Sequence, residues 1–259
     1  MVKSNDRPLK PRELALLRHV ALYRLTLRDV VARHFPPDAT PLSDGQAWND
    51  RKSAAGTILN RLIKEGFLNH HHQQSADFPP LPGNVPYFTL SLQGAHEIGT
   101  SEERAEIPGK RVFGPAALGL HLAALWHATM YQQPRHRLEP AELFQLFEKH
   151  NSFVNVPHCI AREDHGYRIN RIYVVSRRAA GIMSALRRKI SQLTNIAAVR
   201  PWVTGRDFGI VVLAPDADYC QDIQNLIARA KLNEEIELSV GLGPAPETIR
   251  DALNKQNER

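Results

Sequence analysis

The sequence predicts an α+β / α/β chain in two halves: helices closed by a β-hairpin up to residue 99, and strands alternating with helices after residue 115. Three observations lead there. Apolar residues recur at helical spacing in successive segments before Gly66, the stretch after Gly66 switches to strand-like alternation, and short apolar runs alternate with amphipathic segments beyond Asn151. With 259 residues, 42% of them hydrophobic and 23% charged, the chain can bury a sizeable core in one or two domains.

The first element is "PRELALLRHVALYRLTLRDVVARHF", Pro11 to Phe35, which reads as two helices. Leu14, Leu17, Val20, Ala21 and Leu22 form a broadly apolar face on the first. Thr26 stands where an N-cap threonine would start the second, with Asp29 in its opening turn, and Pro36 and Pro37 stop it. The connection "PPDATPLSDGQAWND" is rich in turn formers and long for a tight helix-turn-helix; its later part, from Ser43, could already be helical. Trp48 within it is suited either to stacking on a base or to anchoring the segment to the core.

A third helix is expected over 51–65. Ala55, Ile58, Leu59, Leu62 and Ile63 make one buried stripe, and Ser53, Thr57, Asn60, Arg61 and Lys64 lie opposite. Asn pairs with adenine, Arg with guanine, and Ser, Thr and Lys reach base edges or phosphates, so this polar face suits a DNA groove as well as it suits solvent. Arg51 and Lys52, taken as first-turn residues, oppose the helix macrodipole, an arrangement that an anion such as DNA phosphate would compensate.

Gly66 ends the helix, and "FLNHHHQQ" and "YFTLSLQGAHEIG" follow as two strands with an extended tip, the second running into a short helix at Gln93 and Gly94. His70, His71 and His72 are consecutive, so on a strand their rings point to alternate faces and cannot all meet one metal. A solvated wing, a pH-tuned phosphate contact and a metal site shared with a remote ligand all remain open for them. Three helices followed by two strands is the order of a winged helix-turn-helix, whose third helix enters the major groove while the wing lies on the flanking backbone.

The phrases "LNRLIKEGFL", "YFTLSLQGAHEIG" and "LGLHLAALWHAT" (Leu118 to Thr129) resemble the replication-relaxation family of winged-helix proteins of plasmids and other mobile elements. In that family the wing ends in a Tyr-x-Leu-Thr-x-x-Gly type phrase and a helix with a histidine follows. Here Phe88 takes the tyrosine place, Ser91 the threonine place and His121 that of the later histidine. The resemblance covers roughly the first half of the chain, and the long "PPDATPLSDGQAWND" connection departs from it. It implies DNA binding in replication control or transcription.

"TSEERAEIPGKRVFG", 100–114, reads as a linker, separating a winged-helix domain over 1–99 from a helical and α/β domain over 115–259. Leu118, Leu122, Leu125, Trp126 and Thr129 share a helix face suited to core packing or to a dimer surface, and a helix near "EPAELFQLFEKH" follows. Next come a hairpin, "VPHCIARE" and "YRINRIYVV" about a "DHG" turn, a basic helix "SRRAAGIMSALRRKISQLT", the buried strand "FGIVVLAP", the helix "ADYCQDIQNLIARA", the strand "IELSVGL" and a closing helix "APETIRDALNKQ". This half resembles the degenerate restriction-endonuclease-like portion seen in the same family.

An active nuclease would need carboxylates and a lysine on adjacent strands to hold a divalent cation and orient water. Glu163 and Asp164 sit at one strand end, but the partner strand offers Arg168, Asn170 and Arg171, and the adjacent Glu148 and Lys149 lack the required spacing. No phosphate loop, dinucleotide fingerprint or nucleophile elbow is present in the sequence. Cys159 and Cys220 match neither a disulfide framework nor a metal pair, and both suit buried thiols.

A net charge of +6 and a pI near 9.5 favour polyanionic partners. No apolar run reaches the roughly 18 residues of a membrane span, and "MVKSNDRPLKPRELALL" lacks a signal-peptide core. The expectation is therefore a cytoplasmic, non-enzymatic, sequence-specific binder of double-stranded DNA, without metal or other cofactor and with no membrane association. As a homodimer it would read an inverted repeat. Its DNA-contacting residues would be Arg51, Lys52, Ser53, Thr57, Asn60, Arg61, Lys64, His70, His71 and His72. The alternatives are a metal-dependent nuclease using Glu163 and Asp164, and a regulator in which the α/β half senses a ligand.

Overall fold

In the computed structural model the described residues are 8–35, 44–72, 86–99, 115–129, 135–147, 158–163, 166–175 and 181–243. The chain is mixed helix and sheet, and those residues fall into two compact units, one ending at Gly99 and the other beginning at Pro115.

The N-terminal unit runs α1 (Pro11–Tyr23), β1 (Thr26–Leu27), α2 (Arg28–His34), α3 (Asp44–Lys64), β2 (Leu68–His72), β3 (Pro86–Leu90) and α4 (Leu92–Glu97). Its three strands are antiparallel in the order β1-β3-β2, with Thr26 opposite Phe88 and Leu68 opposite Leu90. The apolar face of α1 is centred on Leu16, Leu17, Val20 and Tyr23, so Leu14, Ala21 and Leu22 are only partly covered. Thr26 is not a helix cap: it is fully buried in β1, its backbone paired to β3, and Leu27 stands at the N-cap of α2 without a side-chain cap bond. Strand pairing takes the threonine that local propensity would give to the helix.

On α3 the expected stripe is present: Ala55, Leu59 and Leu62 are fully buried and Ile58 and Ile63 partly so. The helix ends at a left-handed Gly66 (φ 83°). Gly66 N–H donates to the Ile63 carbonyl at 3.0 Å and Phe67 N–H to that of Leu62 at 2.9 Å, which is a Schellman motif.

The C-terminal unit contains α5 (Pro115–Thr129), β4 (Arg135–Arg137), α6 (Pro140–Leu146), β5 (His158–Glu163), β6 (Gly166–Val174), α7 (Ile182–Thr194), α8 (Arg200–Thr204), β7 (Phe208–Ala214), α9 (Ala217–Arg229) and β8 (Glu237–Leu242). Its sheet has the order β4-β5-β6-β7-β8, antiparallel from β4 to β6 and parallel from β6 to β8. The expected hairpin closes with Glu163 opposite Gly166. β4 and α8 carry too few alternating or periodic apolar residues to announce themselves in the sequence. One core joins Ile169 of β6, Val175 just after it, and Phe208, Ile210 and Val212 of β7 to Leu186, Ile190 and Leu193 of α7 and Ile223 and Ile227 of α9. α5 packs against β4, β5 and β6 with Leu118, Leu122, Ala123, Ala124 and Leu125 buried, as its core reading expects.

The 100–114 segment, the tip between His72 and Pro86, Asp164, Glu148, Lys149 and the closing "APETIRDALNKQ" segment lie outside the described residues.

Candidate nucleic-acid interface

α3 begins at Asp44, not at residue 51, and is 21 residues long. Arg51 and Lys52 therefore lie in its interior, and the macrodipole penalty expected of first-turn cations does not arise. They stand directly before Ser53 on the same helix. Ser53, Thr57, Asn60 and Lys64 are all exposed, while Arg51 is half-buried. Thr57 donates its hydroxyl back to the Ser53 carbonyl at 3.1 Å, which leaves its oxygen able to accept.

Arg61 is different. Its Nη1 lies 2.5 Å from Glu13 Oε1 and its Nε donates to Glu65 Oε1 at 2.9 Å. Glu13 is 3% exposed and also accepts from the Lys10 backbone N–H at 2.8 Å, so one carboxylate both starts α1 and holds α3 against it. The hydrogen bond to Glu65 is the chief influence raising the guanidinium pKa. Two of its guanidinium nitrogens are thus engaged by carboxylates, and a base contact by Arg61 would have to exchange one of them.

Lys52 is partly committed as well, its Nζ 3.3 Å from Asp29 Oδ1 of α2 and 5.1 Å from the centre of the Trp48 ring. Trp48 is buried, so it anchors α3 rather than presenting a stacking surface. Beside them stands a residue that sequence reading passed over. Arg28, first in α2 and exposed, donates Nε to the Lys52 carbonyl at 2.9 Å, and its guanidinium lies across Gly56, where a Cβ would sit 3.2 Å from Nη2. The glycine in the middle of α3 is the only sequence trace of that packing.

The histidines separate as consecutive strand residues must. The His70 ring is exposed and stacks on Phe88 (centroids 5.3 Å apart), whereas His71 stacks on Tyr87 (5.0 Å) with Nε2 2.8 Å from Thr89 Oγ1. Burial, and secondarily the charge of His70, lowers the His71 pKa. His72 is paired to Pro86 at the end of β2, and its side chain lies outside the described residues. Among the described residues no group of three or more metal-ligating side chains comes together.

In the C-terminal unit the residues that stand where a nuclease lysine would be needed serve the sheet. Arg168 Nη2 reaches Glu237 Oε1 at 2.7 Å, crossing from β6 to β8 over Gly209 of β7. A Cβ on Gly209 would lie 3.0 Å from the Glu237 carbonyl oxygen. Asn170 and Arg171 are buried. Cys220 is a buried free thiol whose pKa is raised by burial.

No helix among the described residues is long and apolar enough to cross a membrane. No protein-family model and no curated protein matches the chain. A solved structure titled "Crystal structure of protein VC1899 from Vibrio cholerae" aligns with 97% of this chain at 10% identity and a TM-score of 0.24, and the chain spans 57% of that structure's length. At that score the alignment carries no argument about fold or function.

Proposed function

We propose that the N-terminal unit is a winged helix-turn-helix that binds double-stranded DNA sequence-specifically, in transcriptional regulation or in the replication control of a plasmid or other mobile element. The observation that supports it best is α3, buried along Ala55, Leu59 and Leu62 and exposed along Ser53, Thr57, Asn60 and Lys64. The element order and the β1-β3-β2 sheet are those such a reading requires. In this reading Asn60 and Thr57 meet base edges, Arg28, Arg51 and Lys64 meet phosphates, Lys52 exchanges Asp29 for phosphate, and His70 lies on the flanking backbone. The protein acts in the cytoplasm as a homodimer on an inverted repeat, and it is not an enzyme.

The test is fluorescence anisotropy with a duplex from the gene's own upstream region and a random duplex, across a salt series with Mg2+ present. Selective binding without cleavage is the expected result. Arg28→Ala and Arg51→Ala should each weaken binding to both duplexes and reduce the salt slope by about 1. Cleavage, or slopes unchanged in both variants, refutes the reading.

A further inference from the structure

A cleft of about 390 Å³ opens in the C-terminal unit where β7 and β8 begin. That volume lies within the roughly 300 to 1,000 Å³ of small-molecule sites. Its floor is apolar, formed by the buried Val203 of α8 and Ile236 just before β8. α8 and the turn after it bring Arg200 and Arg206 to the cleft. The 3-10 turn Leu232–Glu234 and the residues that follow bring Glu234, Glu235 and Glu237.

Guanidiniums and carboxylates lining one cleft would be expected to pair, yet these do not pair with one another. Arg200 donates Nε to the Thr194 carbonyl at 3.3 Å, Glu234 lies 3.7 Å from Lys231 Nζ, and Glu237 is held by Arg168 at 2.7 Å. Among the described residues the side chains of Arg206 and Glu235 have neither a hydrogen bond nor an ion pair. Arg206 also carries a conformational cost. It is the left-handed residue (φ 63°) of a Schellman motif that closes α8, its N–H donating to the Val203 carbonyl at 3.1 Å and Asp207 N–H to that of Trp202 at 2.8 Å. Glycine takes this position most readily, so an arginine here gives up backbone stability to set a guanidinium at the cleft.

Two unpaired charges of opposite sign around a shared apolar floor restrict what can bind. A simple anion would face the carboxylates and a simple cation the arginines, each repelled by part of the lining. A molecule that carries both charges a few atoms apart meets neither penalty. We infer that the cleft binds a free α-amino acid with an aliphatic side chain. Arg206, with Arg200 beside it, takes the carboxylate through charge-assisted hydrogen bonds, Glu235 takes the ammonium, and the side chain lies on Val203 and Ile236. Every residue of the site belongs to the C-terminal unit and none to α3, so the inference stands or falls apart from the DNA reading.

Isothermal titration calorimetry of the full chain with L-leucine, L-isoleucine and L-valine tests it. At least one of them should bind with a Kd of about 1 mM or below. Analogues that lack one charge, such as 4-methylpentanoate and 3-methylbutylamine for leucine, should bind about tenfold or more weakly, as the loss of a charge-assisted hydrogen bond implies. Arg206→Gly removes the guanidinium and suits the left-handed backbone. It should unfold no earlier than the wild type on heating, while its amino-acid affinity falls about tenfold or more. Glu235→Gln should also weaken the amino acid and narrow the gap between it and its carboxylate analogue.

No binding of any of the three amino acids overturns the proposal, as does an affinity undiminished in both variants. A carboxylate analogue as tight as the amino acid would make the cleft an anion site, an amine as tight would make it a cation site, and either result overturns the proposal too. Asn60→Ala, confined to the proposed DNA readout, should leave the amino-acid affinity intact.

Discussion

Asn60 and Arg61 are sequence neighbours on one helix, yet they answer to different forces. Asn60 is exposed and Arg61 is turned to the buried Glu13. Asn60→Ala should therefore leave the urea midpoint unchanged and relax sequence preference, at about 1 to 3 kcal/mol for a lost base contact; equal losses on specific and random DNA would remove it from the readout. Glu13→Ala should do the reverse, costing on the order of 2 kcal/mol because it leaves a partly buried guanidinium facing one carboxylate instead of two. Urea unfolding measures that directly, and a change under about 0.5 kcal/mol would mean the pair contributes no more than a surface one. Helical spacing places both residues on the polar side of α3. It does not reveal that α1 brings an acid to one of them, since the two partners are 48 positions apart.

At the scale of elements, the short α4 shows how much a local phrase can hold. Ser91 takes its N-cap: Oγ accepts from Gly94 N–H at 3.0 Å and donates to the Gly66 carbonyl at 2.5 Å, while Ser91 N–H donates to the Phe67 carbonyl at 3.0 Å. The helix is thereby fastened to the turn that ends α3. Gly94 is needed for closeness rather than for backbone freedom, because a Cβ there would fall on the Phe67 carbonyl oxygen and lie 2.9 Å from Leu90 Cδ1. Gly94→Ala should cost about 1 to 3 kcal/mol through overpacking, and Ser91→Ala about 1 kcal/mol through the lost cap. Thermal unfolding of both variants checks the order. The serine and glycine were visible in the sequence as a phrase ending the hairpin, and α3, β2, β3, β5, β6, β7, α9 and β8 were legible from period and punctuation. β3 nonetheless departs from the half-buried alternation expected of it. Flanked by β1 and β2, it buries Tyr87 and Thr89 as well as Phe88 and Leu90. A two-residue partner strand leaves no period to read, which is why β1 and the burial it imposes were missed.

For the whole molecule, each unit holds a histidine whose protonation the fold opposes. His127 of α5 is 2% exposed, with Arg135 Nη1 3.2 Å from its Nε2, and burial first and that charge second push its pKa down to about 3. His19 of α1, ringed by Tyr23 and Phe35, is likewise lowered to about 3, by burial and then by His34. Between pH 6.5 and about 3 the unfolded chain binds a proton that the native state does not, so stability must fall as pH falls through that window, by up to about 1.4 kcal/mol per pH unit for each histidine. Above pH 6.5 the contribution is fully present. Urea midpoints at pH 7.5 and 5 for the wild type and His127→Leu test this; a variant with the same pH slope as the parent would contradict it. Neither histidine stood out in the sequence, because a lone His on an apolar helix face has no signature until the opposing element is known. The β1-β3-β2 order also dictates a schedule. Thr26 and Leu27 pair only with a strand that begins at Pro86, and Tyr87 and Phe88 fill the space between the outer strands. At about 5 to 20 residues per second of synthesis, the first strand waits roughly 3 to 12 seconds at the ribosome for its partner. Until β3 arrives, the apolar faces of α1, α2 and α3 have no central strand to close on, and the nascent chain depends on chaperones or on speed to keep them apart from others.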